Sequence, residues 1–240
     1  MQTKIYNMDC LLGMRKIPSG SIDLVVTDCP YRISEGGGMK NRGHGCMLSS
    51  VHQTTKDGKL YKSNDIAFKE WLPVIYRVLK PNAHCYIMVN VRNMSELQRE
   101  AEKVGFHFHN LVIWDKGNST PNRWYMQAYE CIMFFSKGKA FSINNPGTSN
   151  ILRVRNIHRK RYHPTEKPVS LMQVLIENSS QRGDIVLDPF MGSGSTGVAA
   201  QHLGRNFVGF EKDKSYFDIA QNRLTNEARQ LELFDFSDNS

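Results

Sequence analysis

Cysteine is sparse and scattered. The five residues Cys10, Cys29, Cys46, Cys85 and Cys131 form no CxxC pair and no His-bearing spacing suited to zinc. Neither a disulfide framework nor a metal centre is expected from them. Long apolar stretches are missing too: no uninterrupted run exceeds five residues, as in Cys131 to Phe135, whereas a membrane span needs about 20. The opening residues MQTKIYNMDC carry no apolar signal segment, which predicts a cytoplasmic protein with reduced thiols. There is no internal repeat and no low-complexity tract. Acid is the minority charge. Only 23 Asp and Glu stand against 31 Lys and Arg, for a net charge of +8, and such an excess raises the expectation of a polyanionic partner.

That excess is concentrated. Arg153, Arg155, Arg159, Lys160, Arg161 and Lys167 crowd one stretch, with His158 and His163 between them and only Glu166 opposing. A solvated charged face and a phosphate-contacting surface both remain open as readings of this run. The length of 240 residues with 40% hydrophobic content suits one domain spanning 1–240, since a chain of this size buries roughly 70% of its unfolded surface.

Short β-like runs alternate with helical periods, the pattern of an α/β sheet. Lys4 to Met8, Ile22 to Thr27, His84 to Asn90, Leu111 to Trp114, Tyr129 to Phe135, Ile185 to Asp188 and Phe207 to Glu211 read as strands. Lys69 to Leu79, Asn93 to Val104, Ser195 to Leu203 and Lys214 to Arg229 read as helices, with Pro73 near a first turn and Pro81 just past an end. Two segments break the rhythm: a glycine-rich loop at 32–64 and an Asn-rich, basic insertion at about 138–162. Loops of this length inside a compact domain are usually functional or disordered.

Two strand ends carry chemistry. After Ile185-Val-Leu-Asp188 come Pro189-Phe190-Met191 and then Gly192-Ser-Gly194-Ser-Thr-Gly197, which open a helix; Glu211 ends the next strand, 23 residues beyond Asp188. A lone GxGxxG is weak, but strand, glycine turn, helix, strand and terminal acid together describe a nucleoside-cofactor site. An acid at the strand tip would repel a pyrophosphate and suits a ligand with an ammonium group, which favours S-adenosylmethionine over a dinucleotide. The second strand end is Asp28-Cys29-Pro30-Tyr31. Proline fixes the bend and extends the residue before it. A carboxylate, a backbone carbonyl and an aromatic ring at a sheet edge can receive a planar NH2 group. A plain structural turn fits the tetrapeptide equally well.

In combination these motifs resemble the β group of DNA amino-methyltransferases, which methylate the exocyclic nitrogen of adenine or cytosine. The resemblance rests on DCPY at Asp28 to Tyr31, HPTEKPVSLMQVLI from His163 to Ile176, DIVLDPFMGSGSTG ending at Gly197, and NFVGFEKDKSYFDIAQNRL from Asn206 to Leu224. It implies a Rossmann-like methyltransferase fold with a mostly parallel seven-stranded sheet, helices on both faces, and a circularly permuted motif order. It also implies roles. Asp28 and the Cys29 carbonyl would bind the target amino group within the catalytic tetrapeptide Asp28, Cys29, Pro30 and Tyr31, and Tyr31 would stack on the base. Phe190, Gly192 and Gly194 would line the cofactor, Asp188 would meet its amino-acid end, Glu211 its ribose, and Asp9 would lie near its adenine. Thr165, Glu166 and Lys167 would sit against its methionine moiety, Lys167 above all. Arg153, Arg155, Arg159, Lys160 and Arg161 would track DNA phosphates.

Cys29 departs from the family's usual proline but still offers a carbonyl. The cysteine precedes the proline, whereas cytosine-carbon methylation needs a nucleophilic cysteine after it. The expected activity is therefore S-adenosylmethionine-dependent methylation of adenine N6 in double-stranded DNA after base flipping, in a prokaryotic, phage or mobile-element setting. Cytosine-N4 methylation, an RNA or protein-amide acceptor, and an inactive DNA-binding relative stay open, as do a homodimer and a cognate restriction endonuclease.

Overall fold

A computed structural model of the chain describes residues 1–30, 66–120, 125–157 and 166–237. The loop expected at 32–64 lies outside these residues, as do Tyr31, Arg159, Lys160, Arg161 and Thr165. In chain order the elements are β1 (Thr3–Asn7), α1 (Cys10–Met14), β2 (Ile22–Asp28), α2 (Phe68–Val78), β3 (Leu79–Val89), α3 (Met94–Val104), β4 (Phe106–Thr120), β5 (Gln127–Lys137), β6 (Ile151–Arg153), α4 (Val169–Ser179), β7 (Ile185–Asp188), α5 (Ser195–His202), β8 (Asn206–Glu211) and α6 (Lys214–Ser237).

The strands form one sheet in the order β1-β8-β7-β2-β3-β5-β4-β6, eight among the described residues rather than the seven expected. The additional one is β6, inside the stretch expected to be an irregular insertion. It pairs parallel with β4, Ile113 to Ile151 through Asp115 to Arg153. Parallel pairing runs unbroken from β1 across β8, β7 and β2 to β3, and β5 joins antiparallel to both β3 and β4. The expected α/β fold with helices on both faces is what the chain adopts.

Alternation along the central strands divides the core. Val25, Cys85, Ile87, Met133 and Phe135 pack with Met14 of α1, with Trp71, Leu72 and Ile75 of α2, and with Leu97 and Ala101 of α3. On the other face Leu24, Val26, Met88, Ile132 and Val186 pack with Leu171 and Leu175 of α4, Val198 of α5, and Ala220 and Leu224 of α6. Successive strand residues point to opposite faces, so a strand covered on both sides must be apolar throughout. That is why Leu24-Val25-Val26 reads as a solid run and is wholly buried.

Pro73 sits in the second turn of α2, and Pro81 falls just past the helix end, as expected, already inside β3, which follows α2 without a loop. Part of the insertion at 138–157 is docked as well: Asn144 donates to the carbonyls of Glu177 (2.6 Å) and Ser180 (2.9 Å) at the end of α4.

From β2 the chain crosses by α2 to β3 on one side; from β7 it crosses by α5 to β8 on the other. The order therefore reverses between β2 and β7. In open α/β sheets, ligands bind outside the carboxyl ends of strands at such a reversal.

Candidate active site

The carboxyl ends of β1, β8, β7 and β2 lie side by side, so Asp9, Glu211, Asp188 and Asp28 share one edge of the sheet. What joins its two halves is a buried hydrogen bond: Thr27 Oγ1 donates to Asp188 Oδ1 at 2.8 Å. The catalytic-type strand end and the glycine turn are thus neighbours, as expected.

Asp188, expected at the cofactor's amino-acid end, stands at the tip of β7. Its side chain is buried, and besides Thr27 it accepts from the Phe190 amide (3.0 Å, Oδ1) and from Thr196 Oγ1 (2.6 Å, Oδ2). Both oxygens are engaged within the protein. It stakes the start of the turn to β2 on one side and to α5 on the other. Burial pushes its carboxyl up to about 6, against the opposing pull of these three donors.

The turn has two conformational requirements. Gly192 adopts φ 51° and Gly194, the residue capping α5, φ 84°, a region L side chains avoid. A Cβ on Gly192 would meet nothing within 4 Å, so its face is open to an incoming group; one on Gly194 would instead press on Ala220 at 3.2 Å. The Gly192 amide donates to Glu211 Oε2 (3.1 Å) and the Asp213 amide to Oε1 (2.7 Å). Burial holds the Glu211 carboxyl above its ordinary range. Phe190 is half-buried, edge-on to Trp71 with centroids 5.4 Å apart. Asp9 caps α1 by accepting from the Leu11 amide at 2.9 Å, and Lys212 Nζ lies 3.6 Å from its other oxygen.

At the end of β2, Asp28 is about a quarter exposed and Lys167 Nζ reaches its Oδ2 at 2.5 Å. Burial raises the Asp28 carboxyl, Lys167 opposes that, and Glu130 of β5 adds to it. The expected cofactor lysine is therefore also a partner of the expected catalytic acid. Its neighbour Glu166 is paired with Arg223 of α6 at 2.7 Å. Arg223 also reaches the Ser193 carbonyl and Ser195 Oγ, both at 3.3 Å. One arginine thus ties the Glu166–Lys167 segment to the glycine turn. Cys29 is buried, and its Sγ donates to the Met88 carbonyl at 3.4 Å. Burial pushes that thiol well above its ordinary range, so it is no nucleophile.

Arg153 and Arg155 lie on and just beyond β6, with Arg153 Nε 3.8 Å from Asp115. Glu130, Lys116, Thr27 and Arg223 also meet at this edge, and of the four only Glu130 carries a signal in the sequence, as an acid opening a strand whose next five residues are apolar.

The chain matches the family model described as DNA methylase over residues 22–222. It is 30% identical to the Type II methyltransferase M.HinfI of Haemophilus influenzae, over 92% of this chain and 67% of that protein. It is likewise 30% identical to the Type II methyltransferase M2.LlaDCHI of Lactococcus lactis subsp. cremoris, over 93% and 90%. Among solved structures it superposes on an M1.HpyAVI–SAM complex with TM-score 0.69 at 28% identity, covering 93% of this chain and all of the other. It shares its fold with the cytosine-N4-specific PvuII DNA methyltransferase, at TM-score 0.69, 18% identity and 96% and 92% coverage.

Proposed function

Because the chain belongs to the DNA methylase family of N6 and N4 amino-methyltransferases, we propose that it methylates adenine N6 in double-stranded DNA after base flipping. The observation that carries this reading is the Thr27–Asp188 bond, which keeps Asp28 and the glycine turn on adjacent strand ends. The open face of Gly192 and the row of acids suit S-adenosylmethionine: Phe190, Gly192 and Gly194 would line it, Glu211 would accept from its ribose, and Asp9 would lie near its adenine. When bound there it supplies an electrophilic methyl on a sulfonium.

The protein's share is positioning and electrostatics. An exocyclic amine is a poor nucleophile, because its lone pair is delocalised into the ring. N–H donation to the Asp28 carboxylate and to the Cys29 carbonyl favours the pyramidal nitrogen of the transition state. Fixing that nitrogen in line with the methyl makes the step effectively unimolecular. Extrusion of the base costs a few kcal/mol, partly recovered by stacking on Tyr31. Arg153 and Arg155, with Arg159, Lys160 and Arg161, contact phosphates.

An aspartate at position 28 is the reason for adenine, since the cytosine enzymes this tetrapeptide resembles more often carry serine there. Residues 1–240 act as one such domain in a prokaryotic cytoplasm. The test is Asp28→Ala. It should keep S-adenosylmethionine binding and lose methyl transfer to DNA; retained turnover rejects the role. Nucleoside analysis of the wild-type product for N6-methyladenine or N4-methylcytosine decides the base.

A further inference from the structure

Glu130 opens the buried part of β5, opposite Trp114 of β4, and meets a different ammonium on each oxygen. Lys116 Nζ lies 3.5 Å from Oε1 and Lys167 Nζ 3.5 Å from Oε2. Lys167 is only 7% exposed and touches Asp28 Oδ2 with the same ammonium. From these contacts, and resting on the function proposed above, we infer that Glu130 is a positioning residue for methyl transfer: by sharing Lys167 it holds that ammonium to one side of Asp28 and leaves the other carboxylate oxygen to the target amine.

Charge balance in a poorly hydrated place decides where the ammonium sits. Two carboxylates and two ammonium groups alternate in a chain, Asp28–Lys167–Glu130–Lys116. A buried ammonium facing a single carboxylate settles between its oxygens and competes with any other donor. A second acid pulls it outward. Among the described residues no donor lies on Asp28 Oδ1, so that oxygen is where the amine N–H has room. Other charges around Asp28 are accounted for: Asp188 of β7 is the next acid along the edge, the Cys29 thiol stays protonated, and Glu166 is answered by Arg223. Glu130 itself is raised by burial but held below its ordinary range overall by Lys167 and Lys116.

The two lysines give the inference opposite signs to test. Glu130→Gln removes the outward pull and a nearby negative charge, so Asp28 should titrate at lower pH. Lys116→Met leaves Glu130 to Lys167 alone and draws the ammonium off Asp28, so Asp28 should titrate at higher pH. Both variants and the wild type would be followed by carboxyl 13C NMR on Asp-labelled protein, with Asp28→Asn assigning the signal. In parallel, kcat for methylation of unmethylated genomic DNA would be measured from pH 5 to 9 with saturating S-adenosylmethionine. Glu130→Gln should lower kcat roughly tenfold to a hundredfold, as for removal of an electrostatic partner of the reacting group. Its acid limb should move to lower pH, with cofactor and DNA affinity unchanged. Shifts of the same sign in both variants, or no shift in either, overturn the inference. A wild type that methylates no DNA would sink the proposed function, while the NMR titrations still decide the role of Glu130.

Discussion

Replacing Asp188 by Asn separates a structural post from a ligand contact. The amide keeps an oxygen for the Thr27 hydroxyl and the Phe190 amide, and its NH2 can face Thr196 Oγ1, which then turns from donor to acceptor. What disappears is a buried charge. A carboxyl raised from 3.8 to about 6 on folding corresponds to about 3 kcal/mol between its two protonation states. The sign follows from linkage. The folded chain holds this proton more tightly than the unfolded chain, so the contribution to stability is fully present below about pH 4 and is lost as pH rises through about 6. The variant has no such titration. Relative to wild type, Asp188→Asn should gain up to about 3 kcal/mol above pH 6.5, and the gap should close toward pH 4. With an m-value of about 3 kcal/mol/M, the gain is a shift of about 1 M in the urea midpoint. Urea titrations followed by tryptophan fluorescence at pH 4, 5, 6, 7 and 8 measure it directly. A variant less stable than wild type at pH 8, or a difference that does not change with pH, refutes the reasoning. Binding of S-adenosylmethionine should stay within about threefold; a loss beyond tenfold would return Asp188 to direct contact with the ligand's ammonium.

Three further outcomes are expected. Gly197→Ala brings a Cβ to 2.8 Å from both Leu224 and Phe207 and should cost about 1–3 kcal/mol through overpacking, read as a lower urea midpoint. Arg223→Met strips the buried Glu166 of its guanidinium and should destabilise by about 3 kcal/mol, with much of that recovered by adding Glu166→Gln; no recovery would mean that the arginine acts mainly through packing. Joint replacement of Arg153 and Arg155 by Ala should weaken DNA binding and flatten its salt dependence by roughly 0.9 for each phosphate no longer neutralised. An unchanged slope returns them to a solvated face.

What could be read from residues alone follows the physics of each segment. Leu24-Val25-Val26 and Ile185-Val-Leu are covered on both faces, so composition by itself announces them. The glycine turn is visible because its backbone geometry admits little else at 192 and 194. β4 is different. It runs for 15 residues, but His107, His109, Asp115 and Lys116 interrupt its apolar pattern near the sheet's edge, and only Leu111 to Trp114 stand out. β6 is three residues long and has almost no periodicity to detect. α4 follows Pro168 directly and is legible as part of a motif rather than as a helix. Side-chain roles are harder still. That Asp188 also accepts from Thr27, 161 residues away, shows only in the folded chain. Glu130 and Lys116 acquire meaning only when strand pairing brings them beside Lys167.

The hydrogen bond between Thr27 and Asp188 has a bearing on biosynthesis. A ribosome delivers β2 early, yet the neighbour that shields one of its edges emerges 161 residues later, after roughly 8–30 s at ordinary elongation rates. Through that interval the nascent chain carries an apolar ribbon with an unmet edge, a template for unwanted association. Slow translation or diminished chaperone capacity should therefore harm this protein through its yield of folded molecules before it harms the turnover of each one.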